Sequence, residues 1–420
     1  PTLDITDTYR LEQDFSGPSL TIAASGKYTK RFKQSSLNII ILTNHQQYQL
    51  GQYTQGYNTL DSRLTLSPLL NNELTIKNNN TKVTTDYTYN LFKSKLELTI
   101  SLSADYRNIT CGQAEKQQLK KTFLMPSLHF FYNPLPGHTV LAMIGSSLQQ
   151  PAINNLNNAY AITGINLLHY GNDSLNVHAG MMYNLAYLFI DPLISGWQIN
   201  INHYYASTPL NYLTQQLIQD GYIIQAMRLT NLNSKVWSFK SEVQKTTSKK
   251  ATYTLSISTN KRQDYNLQNQ LLTQNVFTQH EIKLRHRTGK NKNWINTSGS
   301  ITYQWGNIRV QTNGEQAFVL SNKTFIANTT VETLPIQKMN LDFSADYLYS
   351  KAEMFATQPL LLIHAQLYYH ISAKIKLGLT LKNILNKQGY INNSTSPLSS
   401  STMQYHLQPA FYLLNCQISL

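Results

Sequence analysis

The amino-acid sequence predicts an all-β protein: one large antiparallel transmembrane β-barrel of about 18–22 strands, as a single domain over residues 1–420. Three observations lead there. Apolar and polar residues alternate with period two almost to the last residue. Many alternating runs exceed the roughly five or six residues of ordinary soluble strands and reach the roughly 9–11 that a tilted strand needs to cross a bilayer. Only 13% of the 420 residues are charged, about half the share in soluble domains. Asn, Gln, Ser, Thr and 27 Tyr replace the missing charge and wet a surface without carrying it.

Taken in chain order, strand candidates fall at 18–31, 36–50, 63–78, 82–93, 95–107, 121–134, 138–149, 173–191, 193–206 and 218–230. They continue at 234–246, 250–263, 272–288, 292–306, 316–333, 336–350, 359–371, 373–386 and 404–420. In the run from Leu96, the residues Leu98, Ile100, Leu102, Ala104 and Tyr106 alternate with Glu97, Thr99, Ser101, Ser103 and Asp105. Trp197, Ile199, Ile201, His203 and Tyr205 do the same against Gln198, Asn200 and Asn202. Near the end, Ile375, Leu377, Leu379 and Leu381 alternate with Lys374, Lys376, Gly378, Thr380 and Lys382. Each such strand has one apolar and one polar face. Aromatics of the apolar face, such as Tyr106, Trp197, Tyr205, Tyr347 and Tyr349, sit toward strand ends, as an interfacial girdle requires.

Connections alternate as well. Short turns (92–95, 133–138, 372–374) follow one end of a hairpin, and long polar loops (107–120, 150–172, 206–217, 262–271, 387–403) follow the other. Short periplasmic turns and long extracellular loops are the pattern of outer-membrane barrels. No run of eighteen apolar residues exists, which excludes a transmembrane helix. A propeller would show a repeat of about 40–50 residues, and several sandwich domains would need linkers; neither appears. The chain opens Pro-Thr-Leu-Asp without an apolar signal segment, so a mature, processed or partial product is expected.

No chemistry is expected of the eleven His. His364 and His370 share a strand face but lie roughly 20 Å apart, too far for one ion. His280 and His286 fail likewise. Cys111, placed in a polar loop, and Cys416, in the final strand, have no metal-ligand spacing. No H-E-x-x-H, P-loop or G-x-S-x-G occurs. The formal charge is +14. The basic clusters at 27–33, 116–121, 245–250 and 283–292 lie at strand ends and loops without the aromatic platform of an RNA binder. They are expected to meet anionic lipid and lipopolysaccharide phosphates rather than nucleic acid. His364, Gln366, Tyr368, His370, Lys374, Lys376 and Lys382 occupy polar faces and are the lumen-facing candidates. A positive lumen favouring anionic solutes is one expectation from the lysines.

Three segments resemble the C-terminal part of TonB-dependent outer-membrane receptors, particularly Bacteroidota-type versions. Met125–Pro134 and Gly137–Leu141, leading to Gln150-Pro151 and Leu156, are similar to that family's paired strands and loop entry, with Gln150 where Arg is common. Gly171-Asn172-Asp173-Ser174-Leu175 resembles its "Gly-Asn-Pro-x-Leu" strand entry, with Asp173 replacing Pro. Leu381-Lys382-Asn383-Ile384-Leu385-Asn386-Lys387 resembles the close of its penultimate strand. The resemblance covers about residues 120–420. Leu420 stands where the family usually ends in an aromatic, and no plug sequence is present. It implies an active importer of a nutrient (glycan, peptide or metal chelate) that works with a plug domain or plug-bearing chain, a TonB-type energy-coupling protein and a possible surface lipoprotein, without cofactor or metal. Loops 150–172 and 387–403 are the expected contact sites. The alternatives are a structural barrel subunit filled by a partner chain and, further off, an outer-membrane enzyme.

Overall fold

A computed structural model describes residues 10–57, 63–64, 72–92, 95–112, 117–149, 156, 160–164, 167–172, 175, 177–191, 194–210, 212–219, 222–247, 251–288, 295–336, 338–352, 355–356, 359–372, 375–395 and 400–418. In chain order the strands are β1 (Arg10–Ser16), β2 (Ser19–Arg31), β3 (Ser35–Tyr57), β4 (Arg63–Leu64), β5 (Asn72–Leu91), β6 (Leu96–Gly112), β7 (Gln117–Tyr132), β8 (His138–Gln149) and β9 (Tyr160–Gly164). Then come β10 (Leu167–Tyr170), β11 (His178–Asp191), β12 (Trp197–Pro209), β13 (Tyr212–Gln219), β14 (Tyr222–Leu229), β15 (Asn233–Thr246), β16 (Thr252–Gln268), β17 (Leu271–Arg287) and β18 (Ile295–Thr312). The last are β19 (Glu315–Ile336), β20 (Met339–Ala352), β21 (Phe355–Ala356), β22 (Leu360–His370), β23 (Ile375–Lys382), β24 (Gly389–Thr395), β25 (Ser400–His406) and β26 (Phe411–Ile418).

The wall is an antiparallel meander. β1 and β2 pair successive stretches of β3, and the order then runs β3, β5, β6, β7, β8, β11, β12, β15, β16, β17, β18, β19, β20, β22, β23, β26. Strands β9, β10, β14 and β13 form an added patch at the loop end, with β10 parallel to β14 and β13 parallel to the tip of β16. β24 and β25 make a separate hairpin. No helix among the described residues is long and apolar enough to cross a membrane.

Four expected loops are largely strand. Residues 107–112 and 117–120 belong to the ends of β6 and β7, 262–268 and 271 to β16 and β17, 206–209 and 212–217 to β12 and β13, and 389–395 and 400–403 to β24 and β25. The β16–β17 tip is polar on most of both faces because it overhangs the apolar band. The β6–β7 tip has only the scattered apolar residues Ile109, Cys111 and Leu119 among polar ones, so both read as loop although the backbone ladder continues. β16 and β17 meet in a two-residue turn, Asn269 (φ 46°) and Gln270 (φ 71°), and β18 and β19 at Asn313 (φ 50°) and Gly314 (φ 87°). Positive φ at both central residues matches the right-handed twist of a hairpin. Cys111 is likewise not in a polar loop: it lies in β6 and is 1% exposed.

Burial is inverted relative to a soluble sheet. On β16, Leu255 and Ile257 are 41% and 40% exposed, whereas Thr254 and Ser256 are 7% and 4% exposed. Register carries the same polarity across neighbouring strands: Val243, Leu255, Leu284, Ile301, Ala327 and Tyr347 lie side by side on the outer face. Water would penalise such a continuous apolar exterior; a hydrocarbon exterior with a polar inside is what spanning barrels show.

Aromatic belts edge this band. Toward the loop end, Tyr183 stacks on His203 and Tyr205, Trp237 Nε1 donates to His203 Nε2 at 2.7 Å, and His280 stacks on Trp305. Toward the short turns, His138 contacts Phe189, Lys245 lies over Trp197, and Tyr253 contacts His286. These histidines therefore belong to interfacial belts. Among the described residues no group of His, Cys, Asp or Glu could hold a metal ion.

Candidate functional site: the polar face and its loop-end knot

The polar face is wetted by cross-strand pairs such as Thr84–Ser103, Thr88–Thr99 and Ser101–Asp86. At the loop end it becomes apolar. Leu74, Ile76, Ile109, Cys111, Phe123 and Met125, on β5–β7, pack with Leu156, Val177 and Tyr212 from the segments between wall strands. Leu156 is 2% and Val177 1% exposed. The residues before β9 and before β11 are therefore tied to the inner face of β5–β7.

That knot gathers several motif positions. Leu156 is in it, Leu175 packs against it, Gly171 is buried, and Asn172 donates its Nδ2 to the Met227 carbonyl at 3.2 Å. Pro151 lies outside the described residues. Beside the knot, Asp105 is 2% exposed and receives two hydrogen bonds from Arg107, at 2.7 and 2.9 Å. The register partners of this pair are Lys82 and Lys121, and Lys121 lies over Phe123. His178, at the loop-side start of β11 and five residues above the Tyr183 belt, is held below the usual imidazole range by burial and then by the Lys121 charge.

A second cluster closes the end of β23. Asn383, 5% exposed and at φ 49°, donates its Nδ2 to the carbonyls of Lys387 and Gln408, both at 2.7 Å, and accepts from the Lys387 N–H. Asn386 (φ 51°) accepts the Ala410 N–H at 3.0 Å. Together they clip the start of the 387–403 segment to the entry of β26. Asn tolerates left-handed backbone and supplies the amide that bonds locally, so this motif is built from structural requirements. Leu385 is 43% exposed and serves no core.

Of the lumen candidates, Gln366, Tyr368 and Lys376 come together: the Tyr368 hydroxyl donates to Gln366 at 3.2 Å, and the Lys376 ammonium lies 3.8 Å from the Tyr368 ring centroid. His364 accepts the Asn383 backbone N–H at 3.0 Å, Lys382 lies over Phe411, and His370 pairs in register with Lys376. Lys374 lies outside the described residues. Acids share this face: Asp342 is the register partner of Gln366 and Glu332 of Asp342, while Arg285 and Lys240 flank Glu242. The polar face is of mixed sign, not positive throughout. Sequence reasoning missed the Asp105–Arg107 pair, whose i,i+2 spacing on one strand face was the available signal.

No protein-family profile matches the chain, and no curated protein does. Among solved structures it is similar to the copper transporter OprC, at 8% identity and TM-score 0.46 over 97% of this chain and 66% of that one. It is also similar to the siderophore receptor PiuA from Acinetobacter baumannii (8%, TM-score 0.44, 97% and 65%) and to the closed form of the ferric-catecholate import receptor Fiu from E. coli K12 (9%, TM-score 0.45, 98% and 65%). The chain spans just under two thirds of the length of each.

Proposed function

We propose that this chain is the barrel wall of an outer-membrane active transporter of the TonB-dependent type, importing a small nutrient through a plug held inside the polar face. The observation that carries the reading is the inverted wall: an apolar exterior edged by aromatic belts, around a polar face too densely hydrogen-bonded to be a greasy core. The knot that ties Leu156 and Leu175 to the inner face adds to it, because those residues lie in the segments the resemblance marks. Names of the similar structures point to metal ions and metal chelates as the cargo class. The polar face's Asn, Gln and Tyr would serve a glycan or peptide equally well.

No covalent step is needed. The wall supplies insertion, a wet interior and loops; an energised periplasmic partner would displace the plug. The test is uptake in cells with and without the gene, across iron-chelate, copper, glycan and peptide panels, with and without a protonophore. Uptake that needs both the gene and the membrane potential supports the reading. Uptake of every panel member unaffected by the deletion overturns it.

A structural barrel subunit filled by a partner chain is the second reading. It is favoured by one feature: among the described residues β2 and β26 each pair on one side only.

A further inference from the structure

We propose that the outer face of β15–β20, at the loop-side edge of the aromatic belt, binds the phosphate groups of a phosphorylated lipid in the loop-side leaflet. This rests on the membrane reading above and adds a site to it.

Register places five cations there. Lys261 pairs with Trp237, Lys323 with Trp305, and Lys351 with Lys323; Lys235 and Arg309 stand one level higher, opposite Gln263 and Val319. All five are exposed. Alternation sends the acids of the same strands (Glu242, Asp264, Glu281, Glu332, Asp342, Asp346) to the opposite face. The ion pairs found on these strands, Lys240–Glu242, Arg285–Glu242 and Arg262–Asp264, are all on that inner face. Among the described residues the outer patch thus carries positive charge without a protein counter-charge. Lys323 and Lys351 are direct cross-strand partners, an arrangement of like charges that destabilises a sheet unless an anion sits between them.

Position selects the anion. The patch begins where Trp237, His280 and Trp305 mark the edge of the apolar band, which is headgroup depth. It extends over β15–β20, roughly 24 Å at about 4.8 Å per strand, wide enough for a multiply acylated lipid with more than one phosphate. At the belt level itself the outer face is neutral elsewhere, as at Met181–Ser207 and Tyr106–Thr122, and higher on β5–β7 the separate lysines Lys120 and Lys77 stand opposite Asn108 and Thr110. An acidic protein would need no such alignment with the belt.

The test uses the full chain extracted from outer membranes in mild detergent. Retained lipid is read by native mass spectrometry, and affinity is read with added diphosphoryl lipopolysaccharide and its phosphatase-treated form. The triple variant Lys261→Gln/Lys323→Gln/Lys351→Gln should weaken binding about a hundredfold, at about fivefold per cation near a charged surface. The corresponding Lys→Arg triple should bind as the parent does, as should Lys77→Gln/Lys120→Gln on another part of the wall. Equal binding of phosphorylated and dephosphorylated lipid, or full retention by the Gln triple, overturns the site. So does equal loss in the control pair, or capture of an acidic protein in place of lipid. Heat-modifiable migration on gels reports folding of each variant. A parent that does not insert in membranes refutes the underlying reading, and a parent that inserts but ignores phosphate refutes this site alone.

Discussion

Leu284→Arg separates a membrane wall from a soluble sheet. Leu284 is 48% exposed on the outer face, between Leu255 and Ile301. On its strand, His280 and His286 mark the two aromatic belts. They lie six residues and roughly 20 Å apart along the strand, or about 15 Å in depth at a tilt near 40°. Leu284 is therefore near mid-band. In water, Arg at a half-exposed site changes stability by no more than about 0.5 kcal/mol. In hydrocarbon the same change costs about 2–4 kcal/mol, a shift of roughly 30-fold or more in the folding equilibrium. The assay is urea unfolding of the protein reconstituted in lipid vesicles, followed by tryptophan emission. Ser300→Arg, whose side chain meets Asn328 on the polar face, is the comparison and should cost far less. Equal effects from the two substitutions, or a Leu284→Arg cost within 0.5 kcal/mol, would refute the inverted-wall argument.

Asp105→Ala should destabilise the loop end by about 3–5 kcal/mol, because it strands a nearly buried guanidinium; hydrogen exchange in β6 and β7 checks this. Asn383→Ala should cost about 2–3 kcal/mol from the lost amide bonds, seen as faster proteolysis within 384–410 while the wall stays protected. His178 has its folded pKa depressed by burial and by Lys121. Its contribution is present above the ordinary imidazole value and fades as pH falls through the folded one, so exchange around 175–180 should quicken on acidification and not in His178→Phe. Asp191, held low by the Ser195 hydroxyl despite burial, and further by the Ile194 and Ser195 N–H groups and Lys245, stabilises its turn at neutral pH. That contribution disappears only in acid, below the ordinary carboxylate value; Asp191→Asn should leave the turn pH-insensitive in amide exchange.

The wall was legible because its period is backbone geometry: one face per parity, whatever residues lie elsewhere. Loop-end features were less legible. The tips of β16 and β17 are largely polar on both sides and those of β6 and β7 have few apolar residues among polar ones, and a sequence without clear alternation reads as loop although hydrogen bonds continue. Cys111 seemed to sit in polar sequence, yet its neighbours in space are Ile76, Ile109 and Phe123, two of which come from other strands. Leu156 and Asn383 stand out in the sequence only as motif positions, and their surroundings are tertiary: a shared knot in one case and two carbonyls 4 and 25 residues away in the other. The mixed sign of the polar face also needed the register, since Lys376 and Asp342 are remote in sequence and meet the same face only through β22.

The direction of the edge strands leads to the last prediction. β2 runs into the short turn at 32–34, and β26 enters from the loop side, so both run toward the short-turn end. Joining them directly would make a parallel pair, whereas bacterial barrels close antiparallel with an even strand number. An edge left unpaired in hydrocarbon would expose its N–H and C=O groups at several kcal/mol each. Antiparallel closure therefore requires an odd number of further strands between β26 and β2. Cys416 is a built-in probe, because it is free and exposed on the outer face of β26 while Cys111 is buried. Cysteines introduced singly at Ala24, Gly26 and Tyr28, on the outer face of β2, should fail to form a disulfide with Cys416 in native membranes under oxidant. Bridging needs Cα atoms within about 7 Å, and one intervening strand already separates the two edges by roughly 9–10 Å. A high-yield bridge at any of the three positions would show direct parallel closure and end the argument for additional strands.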